Sequence, residues 1–295
     1  MICRNGRAAT WTSGSTSWHA GRRWRRSCGS DDHHGRPHAR CPSRGRALSR
    51  PEPTWPMNCT LVLLPGMDGT GRLFGSFLDH LRDQYPALVV TYPAAAPTCS
   101  RPELLQRIEE CLPPEGEYVL VAESFSGSLA IEHASTSPDR LRALVLVASF
   151  AASPLPKGLR WIRAFAGAAR VRPPRVLLRV LLVGSDADQG LVDEVGVVLD
   201  TVAPQVLADR LCQVLSVDVR SLLPSIAVPV LYLRGLGDRL VSSRGSAQFE
   251  GVVQSLTVVE LNGPHLLLQA RPRESAEAIV RFLEGVSPPV ARMPT

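Results

Sequence analysis

The stretch YVLVAESFSG, residues 118–127, passes from five apolar residues into a serine with small neighbours two positions to either side, Ala122 and Ser126. A β-branched-rich run of that length reads as a buried strand, and the serine-rich turn after it reads as the entry to a helix. A nucleophilic serine carried between strand and helix needs a sharp turn, with small flanking residues so that the backbones can approach. The usual pattern is G-x-S-x-G, so this is a relaxed form of it. Two alternatives share the stretch: a serine that caps the helix, and a register in which Ser126 is the central residue of SFSGS. The apolar run stops at Ala122, which makes Ser124 the candidate nucleophile and leaves Ser126 in the first helical turn.

Serine is a poor nucleophile near neutral pH unless a base takes its proton and a third group orients that base. Downstream, the apolar run Val228–Leu233 ends in RGLGD, with Asp238 last, and Leu256–Leu261 ends in NGPH, with His265 last. Outside residues 1–56 the other histidines are His80 and His133, both within helical patterns. Ser124, Asp238 and His265 therefore each follow a strand, in the chain order Ser, Asp, His. Upstream, Cys59–Leu64 leads into PGMDGTG, residues 65–71. Acyl transfer needs backbone N–H donors for a developing oxyanion, one after the nucleophile and one from such a loop. Phe125 and Met67 are the candidates by position. Asp68, set among glycines, is expected to make a turn bond. The loop contains no G-x-G-x-x-G and no P-loop lysine, which argues against a phosphate cradle.

Further outward, the strand-like runs Ala87–Tyr92 and Leu141–Ala148 complete a set of six, expected to be buried on both faces. Helical spacing appears at Leu73–Arg82, Pro102–Cys111, Gly127–Ala134, Ser242–Glu250 and Pro272–Glu284. Strand followed by helix, repeated, predicts a mostly parallel, doubly wound α/β sheet. The rhythm breaks between about 150 and 219, where helical segments accumulate without a strand. An insertion there predicts a helical cap over the carboxyl edge, where ligands bind in open sheets.

LLPGMDGTG, VAESFSG, LRGLGDRLV and NGPHLLLQARP together resemble the serine α/β-hydrolases. The PG-x-DGTG loop is similar to that of the hydrolase portion of plant phytyl ester synthases. The resemblance covers about residues 57–286 and implies an α/β-hydrolase fold. It also implies Ser124 as nucleophile, Asp238 as acid, His265 as base, and Met67 and Phe125 at the oxyanion hole. It implies cleavage of a carboxylic ester through an acyl-enzyme, without metal or cofactor; a thioesterase or acyltransferase would use the same triad. Against the family pattern, the first elbow glycine is replaced by Ala122. The folded region also opens on what is usually the third strand, so the customary N-terminal hairpin is missing and residues 1–56 are expected to offer no replacement.

The composition divides in two. Residues 1–56 hold 11 Arg against Asp31, Asp32 and Glu52, a net of +8, whereas the whole chain is +6; residues 57–295 thus carry −2. Ile2 and Leu48 are the only Ile, Leu, Val or Phe in that leader, which predicts an unfolded segment. Met57 reads as the start, with residues 1–56 as mistranslated upstream sequence; a basic arm binding nucleic acid is the alternative. Cys28, His33, His34, His38 and Cys41 fit no zinc spacing. The acidic balance of 57–295 speaks against nucleic acid as its partner. A non-catalytic interaction module is the reading from another class, disfavoured by the complete Ser-Asp-His set. Cys59, Cys99, Cys111 and Cys212, in apolar surroundings without C-x-x-C, read as buried thiols of a cytoplasmic protein. The most apolar run, Val176–Val183, contains Arg179 and is far short of a transmembrane segment.

The substrate expected is a small-molecule acyl ester, and the sequence is silent on oligomeric state. Trp161 and Phe165, within the cap, are the candidate substrate-binding residues. From Ala151 to Ser185 there are seven basic residues and no acid. That run reads either as a site for an anionic group or as a solvated face neutralised by Asp186, Asp188, Asp193 and Glu194.

Overall fold

The computed structural model describes residues 59–81, 84–154, 174–184 and 188–286, together with the backbone of 2–4 and 7–9. Six strands form a parallel sheet: β3 (Cys59–Leu64), β4 (Ala87–Val89), β5 (Glu117–Glu123), β6 (Leu141–Val147), β7 (Val230–Gly235) and β8 (Leu256–Leu261). Their spatial order is β4-β3-β5-β6-β7-β8. Successive side chains of a strand point to opposite faces. Val62, Leu64, Leu120, Ala122, Leu144, Leu146 and Tyr232 accordingly enter one core, and Leu61, Leu63, Val119, Val121, Val145, Leu231 and Leu233 the other. Both faces are covered, so the central strands read as unbroken apolar runs.

The first core is closed by Leu104 and Ile108 of α2 (Arg101–Glu110) and by Leu129 and Ile131 of α3 (Gly127–Ser135). The second is closed by Phe77 of α1 (Gly75–Asp79) and by Ile279 and Leu283 of the helix Pro272–Gly285.

Several expectations are corrected. β8 is not buried on both faces: among the described residues it pairs with β7 alone, and Thr257 and Glu260 are exposed. The segment expected as a helix over Ser242–Glu250 is a series of turns with one 3-10 turn at Ser246–Gln248. Gln248 explains the arrest of that helix, because its Oε1 accepts the backbone N–H of Ala151 at 2.9 Å and of Ala152 at 2.8 Å. Cys59 and Cys111 are buried, but Cys99 and Cys212 are only half-buried.

The leader also supplies the hairpin it was not expected to provide. β1 (Ile2–Arg4) and β2 (Arg7–Ala9) pair antiparallel, and Ile2 pairs with Val89 at the open edge of β4. An edge strand offers unpaired backbone groups, and pairing with them requires no apolar side chains. Among the described residues the register between β1 and β4 is a single pair. Deleting residues 1–56 is therefore expected to cost about 1 kcal/mol at most and to move Tm by no more than about 4 °C, measured by thermal unfolding. A larger drop would show that the hairpin is an integral part of the sheet.

Between β6 and β7 stand the helix Arg175–Leu178 with a π-helical turn at Arg179–Val183, the helices Gln189–Asp200 and Pro204–Ser216, and a 3-10 turn at Arg220–Ser225. Leu178, Val183, Val192 and Val195 pack with Leu73 and Leu266, which follow β3 and β8. Among the described residues no helix is long and apolar enough to cross a membrane.

Candidate active site

β3 and β5 are neighbours with Leu64 opposite Ala122, so the loops that follow them leave the sheet side by side. The connection from β3 leads to β4 on one side and that from β5 to β6 on the other, which opens a crevice between them. Ser124 sits at this point with φ 49°. A left-handed backbone at a residue with a Cβ costs about 1–2 kcal/mol and must be held by its surroundings. Here Ser149 Oγ, at the end of β6, donates to the Ser124 carbonyl at 2.9 Å. Gly127 makes that approach feasible, since a Cβ there would lie 1.6 Å from Ser149 Oγ.

Ser124 Oγ lies 2.9 Å from His265 Nε2, and His265 Nδ1 lies 2.9 Å from Asp238 Oδ2. The Asp238 and His265 side chains are 1% and 4% exposed, so this pair is shielded from water. The other Asp238 oxygen accepts the N–H groups of Leu240 and Val241, each at 2.8 Å. The two loops are drawn together by backbone bonds from Leu236 N to Leu261 O and from Gly237 N to Gly263 O, both 2.9 Å.

Ser126, the alternative centre, is buried and engaged elsewhere: its Oγ donates to Pro65 O and is 2.8 Å from Tyr92 OH. Met67 lies in a turn closed by Gly69 N donating to Gly66 O at 3.1 Å, and Phe125 directly follows Ser124. Asp68 makes the turn bond expected of it, accepting Thr70 N at 2.8 Å and Thr70 Oγ1 at 2.6 Å. Trp161 and Phe165 lie outside the described residues. Within the basic run, Arg175 donates to Asp193 O at 3.1 Å and pairs with Asp200 at 3.5 Å, while Arg179 donates to Gln189 at 2.6 Å. These contacts tie both arginines to the helix Gln189–Asp200.

Glu123, to which the sequence motifs above give no role, also stands at this site. It is buried at the end of β5, its Oε2 accepts Gln269 Nε2 at 3.3 Å, and the Gly66 backbone N–H faces the same carboxyl. Burial, reinforced by the charge of Asp68, pushes this carboxyl up to about 8. A carboxylate ending an otherwise apolar run was the available signal. The Gln269 contact joins residues 146 positions apart and has no local signature.

A serine hydrogen-bonded to an imidazole that is itself held by a buried carboxylate can lose its proton to that imidazole as it attacks. A family model described as the alpha/beta hydrolase family matches residues 61–278. Comparison with curated proteins gave no match. Among solved structures, the chain is similar to a lipase-esterase related protein from Clostridium acetobutylicum, with TM-score 0.65 and 17% identity over 77% of this chain and 95% of that one. It is similar also to a thermophilic esterase from Thermogutta terrifontis, with TM-score 0.66 and 19% identity over 78% and 90% of the two chains. A bromoperoxidase from Bacillus anthracis gives TM-score 0.67 and 17% identity over 77% and 92%. At these identities the likeness is one of fold. The family match runs from β3 into the last helix and so takes in the sheet, the elbow after β5 and the loops after β7 and β8: the chain belongs to the alpha/beta hydrolase family.

Proposed function

We propose that this protein is a serine hydrolase that cleaves a carboxylic ester with an apolar acyl group through an acyl-enzyme. The observation that carries the reading is the hydrogen-bonded series from Ser124 Oγ through His265 to Asp238, 2.9 Å at each step. Ser124 attacks the ester carbonyl while His265 Nε2 takes its proton. Asp238 keeps Nδ1 protonated and stabilises the imidazolium that forms. The N–H groups of Met67 and Phe125 receive the oxyanion of the tetrahedral intermediate. His265 then protonates the leaving alcohol, and water activated by the same imidazole releases the acid. An apolar acyl group is supported by the layer of Leu73, Leu178, Val183 and Leu266, the last adjoining His265.

The test is covalent labelling of the full chain with an alkyl fluorophosphonate, read by intact mass. Ser124→Ala is expected to abolish labelling. Ser126→Ala is expected to retain it, with some loss of stability from the broken bonds to Pro65 and Tyr92. The reverse pattern would move the nucleophile by two residues and sink the reading. On chromogenic esters, each added methylene is worth up to about 0.8 kcal/mol, roughly fourfold in kcat/KM, until the pocket is full. A flat response to acyl length would remove the apolar-acyl part alone.

A further inference from the structure

Arg210 is the one charged residue among the buried positions of the helix Pro204–Ser216, where Val206, Ala208 and Leu215 are its buried companions. It is 3% exposed. Among the described residues its guanidinium donates to backbone carbonyls outside its own helix. Nη1 donates to Met67 O at 2.9 Å and to Asp68 O at 2.8 Å, and Nη2 donates to Pro93 O at 2.7 Å. The guanidinium carbon lies 5.7 Å from the centre of the Tyr92 ring, whose hydroxyl bonds Ser126. Gly69, at φ 70°, leaves room for the guanidinium; a Cβ there would be 2.4 Å from Nη1.

A buried cation is costly to desolvate unless its donors are satisfied, and a planar fork that meets three carbonyls at once fixes their directions. The carbonyl of Met67 belongs to the peptide that carries the Asp68 N–H. The preceding peptide, which carries the Met67 N–H, has its carbonyl held by Gly69 N. In a trans peptide the N–H points away from the carbonyl, so anchoring both carbonyls determines where the Met67 N–H is aimed. Arg210 reaches this turn from a helix of the segment between β6 and β7, about 140 residues away in sequence.

We propose that Arg210 is a positioning residue for the oxyanion loop, so that the helix Pro204–Ser216 holds the Met67 N–H in its working direction only while its guanidinium is seated on the loop. This rests on the serine-hydrolase reading above. The proposal separates two jobs of the intervening segment: shaping the acyl site, and assembling the donor side of the catalytic apparatus.

The experiment uses the full chain and its Arg210→Ala, Arg210→Gln and Arg210→Lys variants. Rates on a short-chain chromogenic ester are expressed per site titrated by fluorophosphonate, so that unfolded molecules are not counted. Loss of one oxyanion donor typically costs about 10²–10³ in kcat, and misdirecting one is expected to cost about 30–100-fold with KM changed less than about twofold. Arg210→Lys should recover only a minor part, since an ammonium cannot meet three carbonyls with a planar fork. Ethylguanidinium at millimolar concentration should restore at least about tenfold of the Arg210→Ala kcat and leave the parent protein unchanged. Rescue distinguishes positioning from a general loss of structure. If the parent protein neither labels nor hydrolyses esters, the serine-hydrolase reading has failed. If the parent does both and Arg210→Ala keeps its kcat, loses only KM, or gains nothing from ethylguanidinium, the Arg210 proposal alone is overturned.

Discussion

His265→Ala is expected to lower kcat by about 10⁵-fold or more, nearly as much as loss of Ser124, because groups that act as a unit are not additive. Without the imidazole, Ser124 Oγ loses its partner at 2.9 Å, and in the mechanism proposed the leaving alcohol has no donor. Asp238→Asn is expected to cost about 10⁴-fold for a reason specific to this loop. The two N–H groups of Leu240 and Val241, at 2.8 Å, require an acceptor at Oδ1, so the amide oxygen of the variant must stay there. Its NH2 group is then turned toward His265 Nδ1. That selects the tautomer with the proton on Nε2, which cannot accept the serine proton. Steady-state kinetics on one chromogenic ester checks both variants. Turnover within about tenfold of the parent in either would mean that another base operates.

The second large effect concerns stability. Glu123 is buried, and desolvation, with the charge of Asp68, holds its carboxyl at about 8, against the pull of Gln269 and the Gly66 N–H. The folded chain therefore keeps a proton that the unfolded chain releases above about 4.5. The contribution to stability is fully present below that value and declines as pH rises toward 8, by about 1 kcal/mol per pH unit and several kcal/mol in all. Glu123→Gln replaces the neutral acid with a neutral amide of the same shape. It is expected to match the parent near pH 5, to exceed it near pH 8, and to flatten the slope between. Urea unfolding at pH 5, 6.5 and 8 measures this directly. Parallel curves for the two proteins would show that Glu123 ionises in the fold without penalty.

Legibility from sequence tracked how local the signal was. Cys59–Leu64 and Leu256–Leu261 are legible at their observed limits because a strand shows its apolar period over six residues. The apolar spacing of Ser242–Glu250 suits a helix, while the Gln248 contacts with Ala151 and Ala152 hold it in turns. The open edge at Val89 is visible to no local pattern, so the pairing of Ile2 there has no signature in the sequence.

The sequence by itself determined the strand-and-helix alternation, the family, and the candidates Ser124, Asp238 and His265, each placed at the end of an apolar run whose period and turn residues are short-range properties. Tertiary structure alone decided that Ser124 Oγ faces His265 while Ser126 Oγ faces Pro65 and Tyr92, two residues apart in the same turn. It alone placed Ser149 against the elbow, Glu123 beneath Gly66 and Arg210 on Met67, Asp68 and Pro93. The reason is physical: a buried polar group is satisfied by whatever donor or acceptor the packing brings to it, often more than a hundred residues away, and no periodicity records that partner.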